Sequence, residues 1–268
     1  MTHMNIIRTL LLSFVILLPS ATMASGVVGK QISYQSGDVL LQGYIAYQEE
    51  GPQTMPAVLV VHEWWGHNDY ARRRADMLAE LGYVAFALDM YGDGKVASHP
   101  DDAKKFMQEA MSDQVAFKNR FLSALDYVRE QENVDPSNIA AIGYCFGGGV
   151  VLNMARMGVE LKGVASFHGS LATKTPAKKG EVSSQVMVFH GGNDAFVPEQ
   201  QVEDFRAEMI SADVRHEIIV YDAVDHSFTN PDADIFAERF SMPLSYDEEA
   251  DADSWEKLQE FLQRIFAQ

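Results

Sequence analysis

The single cysteine of this 268-residue chain, Cys145, lies in Gly143-Tyr144-Cys145-Phe146-Gly147. Just before it, Ile139 to Ile142 is a short apolar run of the kind a strand buried on both faces shows. Just after it, Gly148 to Met157 returns to helical spacing. Small residues flanking a central nucleophile let a chain turn sharply from strand to helix and hold the middle side chain out at the strand's carboxyl end. This is a nucleophile elbow written with cysteine in place of serine. A free cysteine is also among the most buried residue types, and an inert core thiol is the competing reading. A helix amino terminus favours thiolate, which makes Cys145 the candidate nucleophile.

A thiol nucleophile needs a base, and the base needs a partner. Asp194 follows a strand-like run ending in His190-Gly191-Gly192-Asn193, and His226 follows the last clear strand, Glu217 to Tyr221. Nucleophile, acid and histidine thus stand in the chain order Cys145, Asp194, His226, at the ends of successive predicted strands. In that arrangement His226 takes the thiol proton and later activates water, while Asp194 fixes the imidazole tautomer. Backbone N–H groups of Trp64 and Phe146 are placed to form an oxyanion hole. Taken singly, Asp194 could be a turn residue and His226 a satisfied loop histidine; together and in order they are harder to obtain by chance.

The elements that must position these residues alternate. An entry hairpin is predicted over Ile32–Tyr34 and Leu40–Tyr47, turning at Ser36-Gly37-Asp38. Strands follow at Ala57–Val61, Val84–Leu88, Ile139–Ile142, Val164–Phe167, Val186–Phe189 and Glu217–Tyr221. Helices between them include Asn68 or Asp69 to Leu81, Asp101 to Met111, and an amphipathic Asp113 to Glu130. Such alternation means an open, mostly parallel sheet with helices on both faces, in one domain spanning 25–268. Residues Asn230 to Asp253 read as acidic and irregular, with Asp247 to Asp253 an exposed loop and Ser254 capping a closing helix.

The first 24 residues stand apart. Arg8 and the apolar run Leu10 to Leu18, broken by Pro19, resemble a secretory signal peptide too short in its apolar part to anchor stably in a membrane. Export across the inner membrane to the periplasm is the expectation. The net charge of −17 disfavours nucleic acid and anionic lipid as partners. A lone exported thiol is a liability unless something uses it. Beyond that the chain predicts a monomer or small homo-oligomer, no cofactor and no metal; His62, Glu63 and His67 lack the zinc-binding H-E-x-x-H spacing.

Four segments together resemble the dienelactone hydrolase family of the α/β-hydrolase superfamily: HEWWG at His62–Gly66, GYCFGG at Gly143–Gly148, GGNDAFVP at Gly191–Pro198, and DHSF at Asp225–Phe228. The resemblance covers nearly the whole chain after residue 24. It implies an α/β-hydrolase fold, the triad Cys145, Asp194 and His226, and a supporting role for Glu63, matching a family glutamate that contacts the cysteine and helps switch it to thiolate. It also implies a small ester or lactone substrate. The family arginines that bind a substrate carboxylate are missing; those places read Tyr91-Gly92-Asp93-Gly94 and Thr229-Asn230, with Lys95 a candidate substitute lacking arginine's fork geometry. Arg72 corresponds to a position that could orient Glu63. Trp65, Tyr91, Tyr144 and His168 are candidate pocket residues, with plain core roles equally open. An exported redox-sensing thiol or a non-catalytic binding protein on the same fold is the alternative function.

Overall fold

The computed structural model describes residues 26–267; the proposed signal peptide lies outside them. An eight-stranded sheet runs in the order β1-β2-β4-β3-β5-β6-β7-β8. Strands β1 (Val27–Ser36) and β2 (Val39–Gln48) form an antiparallel hairpin. Strand β2 also pairs antiparallel with β4 (Val84–Leu88), and every other pairing is parallel. The parallel set comprises β3 (Met55–Val61), β4, β5 (Val134–Tyr144), β6 (Gly163–Phe167), β7 (Gln185–Gly191) and β8 (His216–Tyr221). This is the open, mostly parallel sheet that the alternation predicts, and the α/β-hydrolase arrangement that the resemblance implies.

The central strands are continuously apolar because both faces are covered. Leu59 and Val61 face one buried cluster, shared with Phe121 and Leu125 of α3 (Gln114–Arg129), with α4 (Phe146–Arg156), and with Phe205 of α5 (Glu199–Ser211). Val58 and Val60 face the other, shared with Ala75 and Leu78 of α1 (Asp69–Glu80) and with Leu258 and Phe261 of α7 (Glu248–Phe266). Successive residues of a strand point to opposite faces, so a two-sided core demands an unbroken apolar run. Helix α2 (Pro100–Ser112) lies before α3, and α6 (Ala233–Phe240) before α7.

One segment departs from the sequence reading. Residues expected to be irregular contain α6, and the acidic run expected to be an exposed loop caps and opens α7. Asp247 rather than Ser254 is the cap, accepting the N–H of Ala250 at 2.9 Å. Ser254 is fully buried inside the helix. Carboxylates gather there because the amino end of a helix carries partial positive charge.

Candidate active site at the carboxyl ends of the strands

Cys145 sits between β5 and α4 at φ 53° and ψ −114°, a backbone conformation that costs an L-residue about 1–3 kcal/mol. Helix α4 starts at the next residue, two positions earlier than the spacing predicts, because the turn is this abrupt. The close approach that enforces it explains two glycines. A Cβ on Gly143 would lie 2.1 Å from the Gly147 carbonyl oxygen, and one on Gly147 would lie 2.3 Å from that of Val61. Any side chain at either position would force the elbow open.

The strand ends bring the three predicted side chains together. Cys145 and His226 line the same cavity, with the sulfur close enough to raise the imidazole pKa. His226 Nδ1 lies 2.7 Å from Asp194 Oδ2. The other Asp194 oxygen accepts the N–H groups of Phe196 (2.8 Å) and Val197 (3.1 Å), so the carboxylate is fixed at both ends. Burial of His226 opposes its positive charge, but Cys145 and the Asp194 bond outweigh that and push its pKa up to about 10. The setting therefore favours the protonated imidazole, with sulfur on one side and carboxylate on the other.

Trp64 and Phe146 both line the cavity beside Cys145. The Phe146 N–H belongs to the first turn of α4, whose amides have no intrahelical acceptor. Trp64 occupies the tight turn that Gly66 N–H closes onto the Glu63 carbonyl at 3.1 Å. Tyr91 is buried and does not line the cavity; its hydroxyl donates to the Trp64 carbonyl at 2.9 Å and so steadies that turn. Asp89, also fully buried, organises the following loop by accepting N–H groups of Tyr91, Gly92 and Gly94.

Glu63 is 1% exposed, and burial raises its pKa despite two bonds that favour the charge. Those bonds come from Asn230 Nδ2 at 2.6 Å and Ser227 Oγ at 3.3 Å. They, rather than Arg72, hold the carboxylate. Arg72 instead pairs with Asp69 at 3.5 Å on the helix surface. The buried arginine of α1 is Arg74, one helical turn after Tyr70, bonded to Asp251 and to the Thr229 carbonyl.

Four other predicted pocket residues lie elsewhere. Trp65 is 2% exposed and stacks on Phe236 of α6 with centroids 4.5 Å apart. Lys95 places its ammonium over the Phe106 ring, away from the cavity. Tyr144 points from the strand into the core against Phe167, because it neighbours the nucleophile and so faces the opposite way. His168 lies behind the elbow. Its Nδ1 accepts the Cys145 N–H at 3.1 Å, which leaves Nε2–H to donate to Thr229 Oγ1 at 2.8 Å. Thr229 in turn meets the Tyr70 hydroxyl at 2.6 Å, and Tyr70 accepts from Arg74 Nε at 3.3 Å. Burial drives the His168 pKa well below its ordinary value, so the ring stays neutral and can accept.

The cavity has a volume of about 220 Å³. Its walls join Phe196 and Val197 after β7 to segments that no local motif marks, Met107 from α2 and Met242 and Leu244 between α6 and α7. Phe146, Ser170 and Ser227 complete it with Trp64, Cys145 and His226. A larger cleft, about 420 Å³, lies at the opposite ends of the strands around Ser137, Lys162 and Gln185. The smaller cavity is the candidate site, since open α/β sheets bind ligands beyond their carboxyl ends. Among the described residues, no group of three or more His, Cys, Asp or Glu side chains could hold a metal ion.

A model of the dienelactone hydrolase family matches residues 41–266. The chain belongs to that family. It is 32% identical to a dienelactone hydrolase-like promiscuous phosphotriesterase from metagenomic libraries, covering 90% of this chain and 99% of that one with a TM-score of 0.82. Protein usf of Aquifex pyrophilus is 28% identical over 213 residues, 76% of this chain and 88% of its own. A protein of Synechocystis named "Putative carboxymethylenebutenolidase" is 25% identical over 247 residues, 87% of this chain and 95% of its own. As a member of the family, the protein is a hydrolase.

Proposed function

We propose that the protein hydrolyses activated esters or lactones through a thioester on Cys145. The observation that carries this is that Cys145 and His226 meet at one cavity at the strand ends, with His226 Nδ1 bonded to Asp194 behind it. Thiolate sulfur attacks the carbonyl carbon, and the oxygen takes up charge facing the N–H groups of Trp64 and Phe146. Collapse breaks the bond to the leaving oxygen, to which His226 gives its proton. The neutral imidazole then takes a proton from water as water attacks the thioester, and sulfur leaves as thiolate.

A thiolate leaves more readily than an alkoxide, so an ordinary alkyl ester returns to starting material after attack. An enol ester or strained lactone releases a stabilised enolate, and the balance reverses. Enol lactones should therefore turn over faster than simple alkyl esters of the same acid. The test is a panel of enol esters, lactones, thioesters and nitrophenyl esters with wild type and Cys145→Ala; activity surviving in the variant overturns the mechanism. A neutral phosphotriester belongs in the panel because the metagenomic relative is described as a promiscuous phosphotriesterase. Iodoacetamide labelling against pH separates this reading from redox sensing: loss of reactivity in His226→Ala supports the triad, and indifference to it supports a sensor.

The proposal extends to the whole chain. Residues 1–24 direct export and are removed, and 25–268 work as one domain in the periplasm. Amino-terminal sequencing of protein from that compartment tests this.

A further inference from the structure

We infer that the group occupying the cavity is uncharged and apolar, so that the substrates are neutral acyl esters or lactones and not carboxylate-bearing ones. This rests on the hydrolase reading above and names the substrate class of the same site. The walls that receive the group are Trp64, Met107, Phe196, Val197, Met242 and Leu244. Among all the lining residues the ionisable side chains are Cys145 and His226, and His226 already faces sulfur and Asp194. No lining residue is a lysine or an arginine.

Three cations of the surrounding elements are engaged by other groups. Arg74 is bonded to Asp251 and the Thr229 carbonyl, Arg120 donates to the Met90 carbonyl, and Lys95 lies over Phe106. A carboxylate entering the cavity would exchange water mostly for thioether, indole and phenyl surface, with no lysine or arginine to replace the lost hydration. It would also approach a protein of net charge −17. An apolar chain gains from the same surface what the anion loses.

Two matched pairs of probes test this. The first is 4-nitrophenyl heptanoate against the mono-4-nitrophenyl ester of adipic acid, which replaces the terminal ethyl of the acyl chain by carboxylate. The expected result is a kcat/KM at least about 100-fold higher for the neutral ester, most of it retained at 0.5 M salt, where long-range repulsion is screened. The second pair is N-hexylmaleimide against 6-maleimidohexanoate, followed by mass spectrometry of Cys145 and normalised to a free thiol. It reads the same walls without any ester turnover. Met242→Arg should narrow both ratios at least tenfold by placing a cation in the wall. Equal or faster reaction of the carboxylate-bearing maleimide overturns the inference whatever the esters do. Preference for the neutral maleimide with no Cys145-dependent ester hydrolysis keeps the inference about the cavity and removes the hydrolase reading instead.

Discussion

The two sides of Cys145 are built on opposite plans. In front, the sulfur faces a cavity walled by aromatic, thioether and aliphatic side chains. Behind, its backbone N–H enters a sealed polar chain through His168, Thr229, Tyr70 and Arg74 to Asp251. The front needs room and weak, exchangeable contact. The rear needs rigidity, because a strained backbone persists only where its surroundings over-determine it. Changes in front should therefore alter which molecule reacts and how fast, whereas changes behind should alter how well the site is held.

The largest expected effect is at the link between them. Asp194→Asn should lower turnover by about 10³–10⁴ with the circular dichroism spectrum unchanged, because the imidazole loses both its orientation and the anion that stabilises its charge. Behind the elbow, Arg74→Ala leaves Asp251 without its buried partner and should cost about 3–5 kcal/mol in urea unfolding. His168→Phe removes an acceptor from the Cys145 N–H, which keeps the Phe167 carbonyl at 3.0 Å. It should cost about 1–3 kcal/mol and lower kcat with KM little changed. In front, Phe196→Ala, at a residue 46% exposed, should raise KM for apolar esters less than about tenfold with stability unaffected. A stability loss there as large as that of Arg74→Ala would erase the distinction between the two sides.

The His226 charge offers a pH test of the same junction. Its pKa is raised from 6.5 to about 10 in the folded protein. The stabilisation it brings is therefore complete below about 6.5 and is lost as pH rises through about 10. Melting temperatures of wild type and His226→Asn, measured from pH 6 to 10.5, should converge toward the alkaline end.

Much of the site could be read from the chain because strand ends are punctuated. Gly143-Tyr144-Cys145, Gly191-Gly192-Asn193-Asp194 and Asp225-His226 each follow an apolar run, and a parallel sheet brings such ends to one edge. Arg74 was not legible: three consecutive arginines suggest a solvated face, yet Tyr70, Ala71, Arg74, Ala75 and Leu78 share the buried face of α1, and Arg72 falls off it. The closing segment was no clearer. Its acidic density suggests a solvated loop, yet those carboxylates crowd a helix amino terminus. Nor could local pattern place Met107, Met242 and Leu244 in one wall, since only the folded topology brings them together. Thr229 and Asn230 stand where family members keep an arginine, and they serve His168 and Glu63 instead.

The stretch carrying Met242 and Leu244 is stitched to the loop of the base. Leu244 bridges His226, Ser245 N–H reaches the His226 carbonyl at 3.2 Å, and the Ser245 hydroxyl reaches Asp225 at 3.0 Å. Reshaping that wall to admit a bulkier guest will tug on the imidazole, so selectivity gained there comes with slower turnover. Met107, on a separate helix, carries no such tether, and is the place from which appetite for new substrates can be widened while the proton-handling machinery stays put.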